Sequence, residues 1–465
     1  MLSLIVRKEI SEFARDGRLI FAGGLMLILL VTAIIMGWQQ QSALQAERAA
    51  GQALDYKAWL NQGPRHPHTA ADQGMHVFKP QPLLSLIDPG IDPYVGSTIW
   101  LRGHRQSETK FRPAQDATGL QRFGGLSAAW ILQILVPLLV IILGFGTFAG
   151  EREQGTLRQL LSLGVPLWQL LWGKVLAIGT ALALLIAPGA LVAAGASLLT
   201  AEVITRFDVA ARLLLMGLGY SLYLGATIFL VVAVSAVCRS ARASLFWLLA
   251  LWMLGTLIAP RVIADVSGKI YPTPTRMGFE ADMSHDLDST SAKAWKKNFG
   301  VETAWDPTVP LNKWGKGLQV DDHAGYGVLD QHFGRLWDTF ERQQQVQEVA
   351  GLVAPVVAVR AFSMAVAGTD FSQHRDFSAA AERQRRVIQE TVGHDLIDHA
   401  DPLGNQHFSY KAGSNFWAKV PPFRYTLPTF GFALKRHWPS LVALILTFCA
   451  SLSFAWVAVT RRLTV

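Results

Sequence analysis

Hydrophobic residues in this chain fall into long blocks at about 20–38, 127–149, 175–199, 213–237, 244–263 and 441–459. Each block is close to the roughly 20 residues that a helix needs to cross a bilayer, so the pattern predicts about six transmembrane helices. Before the first block, Leu4, Ile5, Ile10, Phe13 and Ala14 share one helical face with charges opposite, the pattern of a helix lying on a membrane surface. The first block exceeds the roughly 7 to 15 residues of a signal-peptide core, and no small-residue cleavage site follows, so it reads as an uncleaved anchor.

Two long polar stretches, 39–126 and 264–440, separate the blocks. The first opens with good helix formers, so the first span is expected to continue outward as a helix as far as the NQGPRHPH cluster. From Met75 to Trp100 the spacing of Pro80, Pro82, Pro89, Gly90, Pro93 and Gly96 excludes a long helix and leaves loops and short strands. In the second stretch, Phe333, Leu336, Trp337 and Phe340 recur at helical spacing, and another helix is expected over 378–397. The region 269–325 reads as irregular. Neither stretch has a core of its own, so the two are expected to pack together as one mostly helical domain. The resulting organisation is an interfacial helix and first span in 1–38, polar stretch 39–126, four spans in 127–263, polar stretch 264–440, and a last span and tail in 441–465.

One further apolar run, 349–368, is long enough to be a seventh span. Arg360 near its centre would cost about 2.5 to 3.5 kcal/mol on insertion, and Pro355 adds a kink. A helix buried in the polar domain or resting on the membrane is the expectation.

Composition sharpens this picture. The chain has 465 residues, 51% of them hydrophobic, and a net charge of +8. Lys and Arg beside spans on the cytoplasmic side explain a basic balance as well as nucleic acid does, and no nucleic-acid partner is expected. With the N-terminus in the cytoplasm, the short segments on that side hold Arg152, Arg158 and Lys174, then Arg239 and Arg242, then Arg461 and Arg462, in agreement with the positive-inside rule. Both termini are then cytoplasmic and both polar stretches lie outside. Cys238 and Cys449 fall in or beside membrane blocks, which excludes a disulfide framework for the polar stretches.

The most informative stretch is FGTFAGEREQGTLRQLLSLGVPLWQLLWGK, between the second and third blocks. Glu151, Arg152, Glu153 and Arg158 surround Leu157, Leu160 and Leu161, which predicts a short amphipathic helix within 150–163 offering an apolar ridge and a charged rim to a partner. Any polytopic protein also needs a polar turn here. The string Glu-Arg-Glu, then Gly155, Thr156 and Leu157, then Leu160 and Leu161, then Gly173 and Lys174, closely resembles the signature of ABC-2-type permeases. That resemblance implies that Glu151, Arg152, Glu153, Gly155, Thr156, Leu157, Arg158, Leu160 and Leu161 form the coupling helix received by a cytoplasmic ABC ATPase. It also implies a second permease copy or paralogue.

The polar stretches resemble a subgroup of these permeases with a large extracytoplasmic region. HPHTAADQGMHVFKP (66–80), LVAPVVAVRAFSMAVAGTD (352–370) and SNFWAKVPPFRY (414–425) carry that likeness, and from them His66, His68, Gly74, Phe78, Lys79, Pro80, Gly368, Thr369, Asp370 and Trp417 are singled out as family positions.

No G-x-x-x-x-G-K-[ST] string is present, so no cofactor is expected in this chain, and ATP with Mg²⁺ is expected on the partner ATPase. His66, His68 and His76 with Asp72 suggest zinc, but the spacing is not that of a helical metal motif and Pro67 breaks a helix there, so no metal is expected. Asp370, Ser372 and His374 invite a triad reading, against which stand a capped helix start and the lack of G-x-S-x-G. The run Arg383, Arg385 and Arg386 reads as a solvated helix face, with contact to lipid head groups as the alternative. Ionisable residues are nearly missing from the spans, which disfavours ion-coupled transport. Pro137 and Pro188 allow bending or merely serve packing.

The expectation is therefore an all-α polytopic bacterial inner-membrane protein, not itself an enzyme, that acts as the permease subunit of an ATP-driven exporter of hydrophobic or amphipathic substances. Its partners are an ATPase, a second permease, membrane lipid and an extracytoplasmic protein. Two alternatives are a non-transporting machine that passes ATP-driven motion to an outer partner, and a membrane-anchored hydrolase.

Overall fold

The computed structural model describes residues 1–116, 125–304, 306–402 and 409–462; parts of both polar stretches and of the C-terminal tail lie outside them. Among the described residues, six helices are long and apolar enough to cross a membrane: Arg18–Leu60, Ala128–Glu153, Leu167–Thr200, Arg206–Val237, Ala241–Ile270 and Phe430–Arg461. The protein is an all-α polytopic membrane protein. Its second and fourth spans lie innermost, and the fifth is the most exposed.

The α-helix of the first span runs unbroken from Gly24 to Leu60. At 1.5 Å per residue this is about 55 Å, against about 30 Å of hydrocarbon, so several turns stand clear of the bilayer. The last span starts at Phe430, before the expected 441, and bends at His437 ahead of Pro439. Proline removes one helical hydrogen bond and crowds the preceding turn, which is the cause of the bend.

The projecting ends carry the polar domain. Trp59, Met75, Val77, Ile99 and Leu101 of the first stretch close on Trp314, Leu318, Phe377, Ile388, Phe416 and Trp417 of the second, so the two stretches share a core as expected. A three-stranded antiparallel sheet, β1 (Met75–Phe78), β2 (Thr98–Leu101) and β3 (Thr109–Lys110), pairs Met75 with Leu101 and Thr98 with Lys110.

The expectation of irregular backbone over 269–325 is overturned. Helices Arg276–Phe299 and Trp314–Ala350 occupy most of it. Thr275 caps the first by accepting from the Gly278 N–H, and Gly300 ends it in the left-handed conformation. Phe279, Met283 and Leu287, spaced four apart, pack on Leu329 and Phe333. That sparse stripe is diluted by polar residues, which is why composition hid it. The helix expected over 378–397 starts earlier, spanning Phe371–Asp398.

The run 349–368 forms the helix Pro355–Ala367, buried on most of its surface against the fourth and sixth spans with Arg360 turned outward. A polar seam crosses there: Gln133 donates to the Tyr220 hydroxyl (3.0 Å), Tyr220 meets Ser363 Oγ (2.9 Å), and Ser363 donates to Asp88 (2.6 Å).

Candidate functional site

The end of the second span and the stretch after it fold as two short helices, Ala149–Glu153 and Thr156–Ser162, with Gly155 between them at φ +76°. Left-handed backbone is open to glycine at little steric cost, so Gly155 makes the corner. Gly164, at φ +75°, and Pro166 then turn the chain into the third span. We call this double turn the knuckle.

Each residue of the Glu-Arg-Glu string holds a different element. Glu151 is buried and pairs with Lys174 of the third span (3.0 Å) and Lys8 of the interfacial helix (2.7 Å). Arg152 donates to the carbonyls of Ala236 (2.8 Å) and Cys238, satisfying acceptors left open where the fourth span ends. Glu153 accepts from the Ala241 N–H (3.2 Å), at the positive end of the fifth span's helix. Ser235 Oγ accepts from the N–H groups of Phe148 and Ala149.

Lys174 completes the clamp by donating to Glu9 (2.8 Å). Burial pushes the Glu9 carboxyl up, but Lys174 and Lys8 overcome it and hold the group below its usual value. Gly173 permits the approach: a Cβ there would lie 2.4 Å from Ile5 Cγ2.

The expected apolar ridge is turned the other way. Leu157 is buried in the membrane core cluster, with Leu160 and Leu161 packed against it. An isolated amphipathic segment covers its apolar face with whatever lies nearest, and here that is the protein itself. What remains exposed on the knuckle is Glu153, Gln154, Gly155, Arg158, Gln159, Ser162, Leu163 and Gly164, with Leu163 76% exposed. Thr156 anchors its hydroxyl on the Glu151 carbonyl.

The family positions of the polar domain act as joints. Gly74, at φ +59°, lies so close to Leu101 that a Cβ would meet its carbonyl oxygen at 1.8 Å. Phe78 packs under Gly51, and Lys79 is buried with its ammonium on Asp92 (2.6 Å). Pro80 follows it half-buried, and His66 precedes Pro67 at the start of helix Pro67–Gln73. Gly368 ends helix Pro355–Ala367 at φ +86°, and Thr369 donates to the Asp88 carbonyl (3.1 Å). Trp417 donates to Gly63 and accepts from Trp59.

Asp370 caps helix Phe371–Asp398 through the Ser372 N–H, and its Oδ2 meets His437 Nε2 at 2.9 Å. On its other side His437 Nδ1 meets Glu348 at 2.8 Å. Burial pushes the Asp370 carboxyl up, but the bond and charge of His437 hold it below its ordinary value. No triad forms from Asp370, Ser372 and His374, because His374 turns to Thr109 Oγ1 (3.2 Å). The solvated-face reading fails for Arg385, which is buried against Glu382 (2.7 Å), while Arg386 pairs with Asp330. His76 pairs with Asp55 (3.0 Å) and stacks on Trp100, away from His68.

Sequence reading missed Glu9, Lys8 and His437. The available signal was a lone lysine opening the third span, which demands a counter-charge. It also missed a cleft of about 780 Å³ in the polar domain, lined by Trp100, Arg102, His104, Arg112, Phe279 and Tyr326 among others.

A family model described as ABC-2 family transporter protein matches residues 3–381. No curated protein matches the chain.

Proposed function

The chain belongs to the ABC-2 family of transporter proteins, and on that premise we propose that it is the permease subunit driven by a separate cytoplasmic ATPase docked on the knuckle. The observation that carries this is the bracing of the knuckle: Glu151, Arg152 and Glu153 fix it to the interfacial helix and to the third, fourth and fifth spans. A push on such a body reaches four membrane elements together. The docking surface is its exposed edge, Glu153, Gln154, Arg158, Gln159 and Leu163. Leu157, Leu160 and Leu161 serve as its inner anchor.

In this reading both termini and the knuckle face the cytoplasm of a bacterial inner membrane, the polar domain lies outside, and ATP with Mg²⁺ binds the partner. Membrane lipid covers most of the exposed apolar face of the fifth span, Phe246, Trp247, Leu251, Leu254 and Leu257, and a second permease copy or paralogue covers the rest. Spans nearly free of ionisable groups support export of a hydrophobic or amphipathic substance.

Arg158→Glu combined with Leu163→Asp tests the docking. Both side chains are exposed, so the permease should purify folded, while the co-purifying ATPase and its stimulated turnover should fall at least tenfold. Unchanged ATPase content and turnover would refute docking at this edge. Labelling of a cysteine placed at Ser162 in intact cells by an impermeant reagent would refute the orientation.

A second reading has its own support. The first span continues as one helix into the polar domain, and the last carries His437 into it, so motion at the knuckle has stiff paths outward. A machine moving the outer domain on a periplasmic protein partner would show ATP-dependent capture of that protein and no substrate flux in proteoliposomes; an exporter would show the flux.

A further inference from the structure

We propose that His68, Asp72 and His104 form a binding site for a divalent transition metal, zinc being the best match, at the wall of the polar-domain cleft. His68 and Asp72 stand four residues apart on helix Pro67–Gln73 and so share a face. The following loop is laid onto that helix: the Gly103 N–H donates to the Ala71 carbonyl (2.8 Å), and Gly103 passes so close that a Cβ would lie 3.2 Å from Asp72 Oδ1. The next residue, His104, sits at φ +59°. Left-handed backbone is uncommon outside glycine, with asparagine, aspartate and histidine adopting it most often among the rest, and here it turns an imidazole back over the helix.

The outcome is that His68 Nε2 and His104 Nε2 face each other at 2.9 Å. One ligand atom from each of His68, Asp72 and His104 falls within 4.8 Å of the others. Two nitrogens on one tetrahedral zinc, with bonds of about 2.0 to 2.1 Å, stand about 3.3 to 3.4 Å apart. The rings need to part by only a few tenths of an ångström to exchange a shared proton for an ion.

The surroundings fit a metal-binding imidazole. His104 Nδ1 bonds Asp322 Oδ1 at 2.9 Å, and Asp322 is itself held by Gln389 Nε2 at 2.7 Å. A carboxylate on the far nitrogen is the usual outer support of a ligating histidine, fixing its tautomer and ring plane. Asp321, in the same cleft wall, keeps a buried carboxylate oxygen with no hydrogen-bond partner among the described residues. Two imidazoles and a carboxylate suit zinc, nickel or copper(II) and not magnesium or calcium, which take oxygen shells. Three protein ligands leave a position for water or a molecule in the cleft, whose wall includes His104.

The competing account is a histidine pair that merely hydrogen-bonds. The two are separated by titrating zinc, and then cobalt for its ligand-field spectrum, into the full-length protein in detergent, with any affinity tag removed and metal stripped by chelator. The expected result is one saturable equivalent with micromolar or tighter affinity. Asp322→Asn should weaken it by about 10- to 100-fold. His104→Asn, chosen because asparagine tolerates left-handed backbone, should abolish it. Asp72→Asn alters an exposed side chain and decides the matter if the His104 variant does not fold. No saturable binding by the wild-type protein overturns the site, as does affinity unchanged in Asp72→Asn.

Discussion

At the knuckle, Lys174 lies between the carboxylates of Glu9 and Glu151; in the polar domain, His437 lies between those of Asp370 and Glu348. The two clusters have the same form, one buried cation held by two acids. They differ in what remains when the cation is lost. Glu9 and Glu151 have Lys8 as their other partner, a side chain 43% exposed that bridges both. Asp370 keeps the Ser372 N–H, and Glu348 keeps Gln344 Nε2 at 3.1 Å. The first cluster depends on charge balance, and the second has neutral donors in reserve.

The largest effect should therefore come from Lys174→Met, which keeps an unbranched apolar stem one atom shorter and removes the charge. Breaking a buried pair at one partner costs about 3 to 5 kcal/mol. The expected outcome is loss of most folded permease from the membrane, measured by fluorescence-detected size exclusion. Adding Glu9→Gln should restore a substantial part, since it removes one of the acids left unbalanced. Wild-type yield from Lys174→Met alone would show that the clamp carries no such weight.

In the polar domain, His437→Leu should cost less, about 2 to 3 kcal/mol, because each acid keeps a donor and either can take up a proton. Thermal unfolding in detergent measures it. A loss equal to that of Lys174→Met would erase the distinction between the clusters.

Sequence legibility divides along the same line. Glu151, Gly155, Gly173 and Lys174 lie within one stretch, so the knuckle could be recognised before its contacts were known. Periodicity identified Leu157, Leu160 and Leu161 as one face, but it carries no information about which body covers a face, and the ridge proved to be inward. The polar domain is assembled from pairs far apart in sequence, such as Asp370 with His437 and Trp59 with Trp417. No local pattern encodes those pairs. Its glycines and buried lysine were visible as family positions, while their service as joints became visible only in space. Helix Arg276–Phe299 was hidden because its core-facing stripe, buried Phe279 and Trp295 with half-buried Met283 and Leu287 between them, is one side chain wide.

A smaller effect tests the knuckle's shape apart from its charge. Gly155→Ala meets no neighbour within 4 Å, so its cost is that of left-handed backbone alone, about 1 to 2 kcal/mol. Stability should fall slightly, whereas ATPase stimulation should fall more than stability if the corner sets the docking edge. Equal, slight changes in both would remove the corner from the docking surface.

The smallest effect separates the two regions by pH. His374 is buried in the polar domain, and burial, followed by the charges of Lys79 and Arg112, pushes its imidazole down to about 3 from an ordinary 6.5. The folded state thus holds His374 neutral while the unfolded chain takes a proton, so its contribution is fully present above pH 6.5 and is lost progressively as pH falls toward 3. At pH 6 the loss is less than about 1 kcal/mol. Glu9 at the knuckle is a depressed carboxylate, whose contribution is lost only below the ordinary carboxylate range near 4. Between pH 6.5 and 6, hydrogen exchange should therefore loosen around helix Phe371–Asp398 before it does around Thr156–Ser162. His374→Gln should abolish that difference, and because every other histidine is common to both proteins, subtracting the variant's profile isolates His374. Identical profiles for wild type and variant would mean that His374 is not held neutral by its surroundings.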